Sequence, residues 1–272
     1  MIIKIDRVTT QSIPRPTRDD LTHVAEQVWQ YSNEHTHELC KGTTTDKFFA
    51  ACLSVSASNL KAMLKLSSAY LPESGSIFRN LVETCVDFFW VASYLEAEPS
   101  KAEGLAENFF LYGKYQFAQN ASTYARIAKT DPFFRDISTP FDDMELIDAC
   151  KKEVGNRSFG DSWRFESTIF ADDKETKWRK RSEKAAQFVQ KTMNLKAAPY
   201  LANLRALSSY SHFDPAQIGY FSNELQGRFF DRSINIALGF VFDMLLFSYR
   251  RKAWKPPQQL VMLQHKFIWF ST

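Results

Sequence analysis

Helix-breaking residues are scarce and clustered in this chain, and their spacing constrains the fold more than any single motif does. Nine glycines and ten prolines occur in 272 residues. Sheet-rich sandwiches and doubly wound folds need many tight turns and phosphate-cradling glycines, so this scarcity favours long helices joined by few connections. Between the breakers, apolar residues recur with helical period. An all-α fold follows: an irregular bundle of about seven to eight helices, with a short strand over Ile2–Val8 as the one candidate exception, stopped by Pro14 and Pro16.

The individual helices can be placed from their caps and stripes. A first runs over about 19–40, favoured by Asp19 and Asp20 at its start and ended by Gly42. A second runs from Thr45 or Asp46 to about Tyr70, striped by Phe48, Phe49, Cys52, Leu53, Leu60, Met63 and Leu64, with Pro72 and Gly75 closing it. The third, about 76–95, is the most apolar of the early segments, yet Arg79, Asn80, Glu83, Thr84 and Asp87 share one arc of about 140°. Pro99 ends it, and Ser100 is suited to cap a fourth helix reaching about Lys129 before Asp131-Pro132. Thr139-Pro140 opens a shorter helix for which Gly155 supplies a left-handed end. Helix resumes over 172–193, 198–211 and 216–249, and Pro256-Pro257 stops the last.

These elements read as one domain over 1–272, with an N-terminal arm at 1–17, a loop or lid at 156–171 and a tail at 256–272 too apolar to hang in water. Two helical halves meeting near 131–139 are the alternative. The net charge of +3 falls short of the strongly basic balance that announces a nucleic-acid binder. Cys40, Cys52, Cys85 and Cys150 sit at wide spacings, without the short repeats of a zinc site or a dense disulfide framework, so free thiols and a cytoplasmic location are expected. The segment Ile234–Phe247 is apolar but shorter than the ~20 residues of a membrane span and carries Asn235 and Asp243, so no membrane partner is expected. No P-loop, Gly-x-Gly-x-x-Gly, His-Glu-x-x-His or metal-ligand tetrad occurs. Neither a cofactor nor a metal is called for.

The stretch Leu204-Arg-Ala-Leu-Ser-Ser-Tyr-Ser-His-Phe-Asp-Pro215 carries the most chemistry. On a helix, Arg205, Ser208, Ser209 and His212 fall within about 100°, opposite Tyr200, Leu204 and Leu207, and Arg205 and His212 stand about two turns apart. A guanidinium, hydroxyl groups and an imidazole that titrates near neutrality suit RNA cleavage: His212 would move the proton of the 2′-hydroxyl and Arg205 would steady the phosphate charge. The plain alternative is that Arg205 braces a neighbouring helix and His212 bonds the carbonyls of a helix end.

Arg79, Glu83 and Asp87 stack at i, i+4 positions. On a solvated face they form an ion-pair ladder; facing inward, Glu83 would orient Arg205 or His212, or Glu83 with Asp87 would hold a divalent ion. Lys174, Lys177, Arg179, Lys180, Arg181 and Lys184, interrupted by Trp178, would meet a phosphate backbone with the indole free to stack, or form an ordinary solvated face diluted by Glu175 and Glu183. His35 and His37 point about 200° apart on a helix and cannot chelate together. The Tyr249-Arg-Arg-Lys252 cluster is placed to complement the negative end of the last long helix.

An Arg followed after six residues by His, late in an all-helical chain, resembles the Arg-x(4–6)-His motif of the HEPN superfamily. Arg79-Asn-Leu-Val-Glu83 together with Leu-Ser-Ser-Tyr-Ser-His212 also resembles a bacterial helical family related to abortive-infection proteins. The resemblance spans roughly residues 45–250. It implies a metal-independent ribonuclease with Arg205 and His212 catalytic, supported by Arg79, Glu83, Asp87, Ser208, Ser209 and Tyr210, acting on RNA in phage defence or stress. It further implies a homodimer, here through the apolar C-terminal helix and tail, and an accessory or antitoxin protein as partner. Ala206 stands where such nucleases commonly carry a polar residue, which leaves a HEPN-like fold without nuclease activity open. Two other functions remain: a non-catalytic helical interaction module, and a sensor whose Arg79 and Arg205 hold a nucleotide or other phosphate.

Overall fold

A computed structural model describes residues 17–66, 71–131, 144–155, 178–194 and 223–267 of the chain. Among the described residues there are eight helices and no strand: α1 Arg18–Leu39, α2 Thr44–Lys65, α3 Leu71–Ala92, α4 Pro99–Thr130, α5 Met144–Val154, α6 Trp178–Met193, α7 Asn223–Arg251 and α8 Gln258–Phe267. The fold is all-α, as the scarcity of breakers predicts.

Both helices of the first hairpin begin with the same device. Thr17 and Thr43 each accept the backbone N–H three residues on, while Asp20 and Asp46 reach back to the backbone N–H of those threonines. Each capping box satisfies two otherwise orphaned donors.

Gly42, expected as a left-handed terminator of α1, instead provides space: a Cβ there would lie 2.3 Å from Oδ2 of Asp46. Pro72 and Gly75 do not close α2; they fall in the opening turns of α3, where a proline's missing N–H has no intrahelical partner to lose. Pro99 likewise starts α4 at its first position, and the preceding Glu98 supplies no side-chain cap, so Ser100 is not the cap. Gly155 does end α5 in the left-handed region, with φ +58°.

The core lies where α2, α3 and α7 meet, with α1 and α6 packed outside them. Phe49 and Phe88 approach to 4.4 Å between ring centroids, and the Phe247 ring stands edge-on to Phe49, Phe88 and Phe89 at 5.6 to 5.9 Å. Edge-to-face pairs of this kind add about 0.5–1.5 kcal/mol each beyond area burial. Trp90 and Tyr94 are fully enclosed alongside them. Helices α4 and α5 pack on each other, and α4 rests on α2.

The stretch Ser233–Arg251 of α7 is long and apolar enough to cross a membrane, yet 72% of its apolar window is buried within the fold. Its hydrophobicity is therefore answered by α1, α2 and α3. After α7 the backbone turns through Ala253 at φ +53°, and α8 docks by burying Leu260 and by a 2.9 Å hydrogen bond from the Tyr31 hydroxyl to Oε1 of Gln259.

Candidate functional site

The polar arc of α3 contains two kinds of environment. Near its start, Nε of Arg79 donates to Oε1 of Glu83 at 2.9 Å, and the two side chains remain 29% and 18% exposed. Water reaches this pair, so its net stabilisation is small, within about 1 kcal/mol. One turn on, Asp87 leaves the expected ladder: it is buried and ion-paired with Arg181 of α6. The Arg181 guanidinium also lies 5.9 Å from the Trp90 ring centroid and 5.5 Å from that of Trp178. A buried pair of this kind ties two helices in one register, but removing either partner strands a charge in a low dielectric.

This arrangement divides the basic stretch of α6. Arg179 and Lys180 face solvent, and both contact Glu183, at 2.8 and 3.1 Å. Arg181 faces the core, Trp178 packs its indole against the core, and Nζ of Lys184 sits 3.5 Å above the Tyr94 ring. The expected phosphate-binding row therefore has only Arg179 and Lys180 turned outward among its described members, with Glu183 between them.

Arg205, Ser208, Ser209, Tyr210 and His212, together with Lys174 and Lys177, lie outside the described residues. The same holds for the N-terminal arm before Thr17 and the loop expected at 156–171. Among the described residues, no three His, Cys, Asp or Glu side chains cluster closely enough to hold a metal ion.

Two polar centres emerge whose partners no sequence motif announces. The first surrounds the start of α2. Asp46 is buried and accepts from Nζ of Lys252 at 2.6 Å and from Nε of Arg251 at 3.1 Å, so the end of α7 is clamped onto the α2 cap. Burial alone would raise the Asp46 carboxyl, but the Lys252 hydrogen bond and the Arg251 charge outweigh it and hold the group below its ordinary value. Arg251 and Lys252 thus make a tertiary contact rather than merely complementing a helix dipole. Glu103 of α4 accepts the Thr44 and Thr45 N–H groups at 2.8 and 3.1 Å, together with the Thr45 hydroxyl. Every leading N–H of α2 from Thr44 to Lys47 is satisfied by these contacts and by the bond from Lys47 N–H to the Thr43 carbonyl.

The second centre is His35. Helix α1 continues through it, so His35 and His37 remain on different faces, and His35 is 8% exposed. Its ring stacks on Tyr249 at 3.9 Å and stands edge-on to Trp254 at 4.2 Å. Its Nε2 is buried and has no hydrogen-bond partner among the described residues. Burial pushes the imidazole down to about 4 against the opposing charge of Glu38, so the ring is neutral at physiological pH. Tyr249 beside it is pushed up to about 12 by burial and by the nearby Glu34 and Tyr31.

A groove of about 590 Å³ opens between the first hairpin and α4–α5, lined among others by Lys47, Ala51, Ser54, Phe110 and Lys114. A further hollow of about 200 Å³ shares Ala51 and Phe110 and continues to Val55, Thr84 and Asp87. Compared with protein-family models, curated proteins and solved structures, the chain matches none.

Proposed function

We propose that the chain is a metal-independent endoribonuclease of HEPN type, acting on RNA in the cytoplasm in phage defence or stress. His212 takes the proton of the attacking 2′-hydroxyl and returns one to the leaving 5′-oxygen, while Arg205 stabilises the phosphate charge that builds up between those steps. Arg79 and Glu83 act as positioning residues, and Arg179 and Lys180 guide the backbone of the RNA.

The observation that carries this reading is the row Arg205, Ser208, Ser209, His212 in a chain whose fold is all-helical. The Arg79–Glu83 pair supports it, because both groups remain partly open to water and able to meet a substrate or an incoming side chain. Asp87 has a different task from the one its spacing suggests: it neutralises Arg181 and so anchors α6 against α3.

The test is incubation of labelled RNA with the purified protein in EDTA, comparing wild type with His212→Ala and recording the melting temperature of both. Cleavage lost at an unchanged melting temperature supports catalysis. Cleavage unchanged, or a melting temperature lowered by several degrees, makes His212 a structural residue. The second reading, a helical interaction module, is favoured by the open groove along α2 and α4, where Val55 and Phe110 are exposed at 45% and 36%.

A further inference from the structure

We propose that the turn after α7 and helix α8 form a strap latched over the ring of His35, and that protonation of this ring releases the strap while α1 to α7 stay folded. An anchor, a hinge and a latch meet there.

The anchor is the end of α7. Asp46 holds Arg251 at 3.0 Å and Lys252 at 2.6 Å, so the backbone is pinned to the start of α2 as far as Lys252. The hinge follows at once. Ala253 stands at φ +53°, a conformation that costs any residue with a Cβ. The Trp254 N–H donates to the Tyr249 carbonyl at 3.0 Å, the last backbone hydrogen bond among the described residues before those of α8 itself. Pro256 and Pro257 have no N–H with which to add another. Beyond the hinge the hold is slight: among the described residues, α8 packs extensively on no other helix. The latch consists of the Trp254 ring edge-on to His35 at 4.2 Å, the Tyr31 hydroxyl on Gln259 at 2.9 Å, and the buried Leu260.

His35 is the member of this latch that gains charge as pH falls. Its ring is 8% exposed, and a proton on the buried Nε2 finds no acceptor among the described residues. On its own helix Glu38 favours the charged ring but is engaged by Lys41 at 2.8 Å, Glu34 and Tyr31 stand by the neighbouring Tyr249, and His37 lies on another face. The end of α7 brings further cations in Arg250, Arg251 and Lys252, and the start of α2 brings Asp46, already taken by two of them. The strap adds Lys255 and, over Gln258–Met262, no titratable side chain. An imidazolium therefore regains hydration only when one wall leaves, and the strap is the wall held by least. With the strap closed the ring titrates at about 4; with it open, near its ordinary 6.5. Closure is thus fully favoured above pH 6.5, weakens as pH falls through that value, and has lost about 300-fold in its equilibrium constant below about pH 4. At pH 5 the loss is about 30-fold.

Hydrogen exchange of the full chain without RNA, read by mass spectrometry at pH 7.5 and pH 5 as protection factors, tests this apart from the ribonuclease reading. Amides 261–267 of α8 are expected to be less protected than amides 85–92 of α3 at both pH values, and to lose about 30-fold of their protection at pH 5. His35→Phe keeps a ring in the latch but takes no proton, so its α8 protection should change by less than about threefold between the two pH values. Trp254→Ala should leave α8 weakly protected at both, with α3 still protected. The proposal is overturned if α8 exchanges only together with α3, or if its protection is the same at pH 7.5 and pH 5. A fall as large in His35→Phe as in wild type, or wild-type protection of α8 in Trp254→Ala, overturns it equally.

Discussion

His35 gives the account a quantitative handle. Its ring is enclosed by Tyr249 and Trp254 and titrates at about 4 rather than at its ordinary 6.5. A base whose folded value is depressed destabilises the native state as pH falls, because the unfolded chain binds a proton that the folded chain refuses. The loss begins as pH drops through 6.5 and is complete below about 4. Between pH 8 and pH 5 these two values correspond to about 2 kcal/mol of lost stability, and to about 3 kcal/mol once the folded ring is itself protonated. For a chain of this size, 2 kcal/mol lowers the melting temperature by about 4–8 °C.

Replacing His35 with Phe keeps a ring in the stack, removes the titration and removes the orphaned Nε2. Chemical denaturation of wild type and His35→Phe at pH 8, 6.5, 5.5 and 5 isolates the effect as the difference between the two curves. The difference should be flat above pH 7.5 and widen by about 2 kcal/mol in favour of His35→Phe by pH 5. Asp46 does not blur this window. Its value lies below 3.8, so its contribution is present above that pH and is lost only as pH falls through a still lower one. Parallel curves from pH 8 to pH 5 would refute the enclosed, neutral imidazole.

Arg181→Leu removes the guanidinium that pairs with the buried Asp87 carboxylate and is expected to cost about 3–5 kcal/mol, whereas Arg181→Leu with Asp87→Leu should recover most of it; a double-mutant cycle by urea denaturation checks this. Gly42→Ala would push a methyl group into Asp46 and disturb both the α2 cap and the α7 clamp, at a cost of about 1–3 kcal/mol. Gly104→Ala, at a helical site with nothing within 4 Å of the new methyl, should instead gain about 0.5–1 kcal/mol, so equal effects at the two glycines would contradict the assignment.

The helices were legible because their signals are local. Acidic Asp19 and Asp20 fall in the first turn of α1 and the breaker Asp131-Pro132 falls where α4 ends, whereas the Thr43-x-x-Asp46 capping box starts α2 at Thr44, just before the expected Thr45 or Asp46. Breakers misled where their meaning depends on position: Pro72, Gly75 and Pro99 are as acceptable in a first turn as after a last one. The polar centres were largely illegible because they join residues far apart in the chain. Asp46 meets Arg251 and Lys252 across more than 200 positions, and Asp87 meets Arg181 across 94. An i, i+4 pattern on α3 carries no information about which member another helix will claim. Arg181 shows the same limit from the other side: it sits in a basic run, yet the helical period turns it inward while Arg179 and Lys180 stay in water. A groove made by two helices leaves no motif at all.

The central functional claim is that an imidazole and a guanidinium from the Arg205–His212 segment cleave RNA through the 2′-hydroxyl. Analysis of product ends after incubation in EDTA tests it most directly. Wild type should release fragments with 2′,3′-cyclic phosphate and 5′-hydroxyl ends, and His212→Ala and Arg205→Ala, folded with unchanged melting temperatures, should release none. Fragments with other termini, cleavage undiminished in His212→Ala, or no cleavage by wild type at any protein concentration would contradict it.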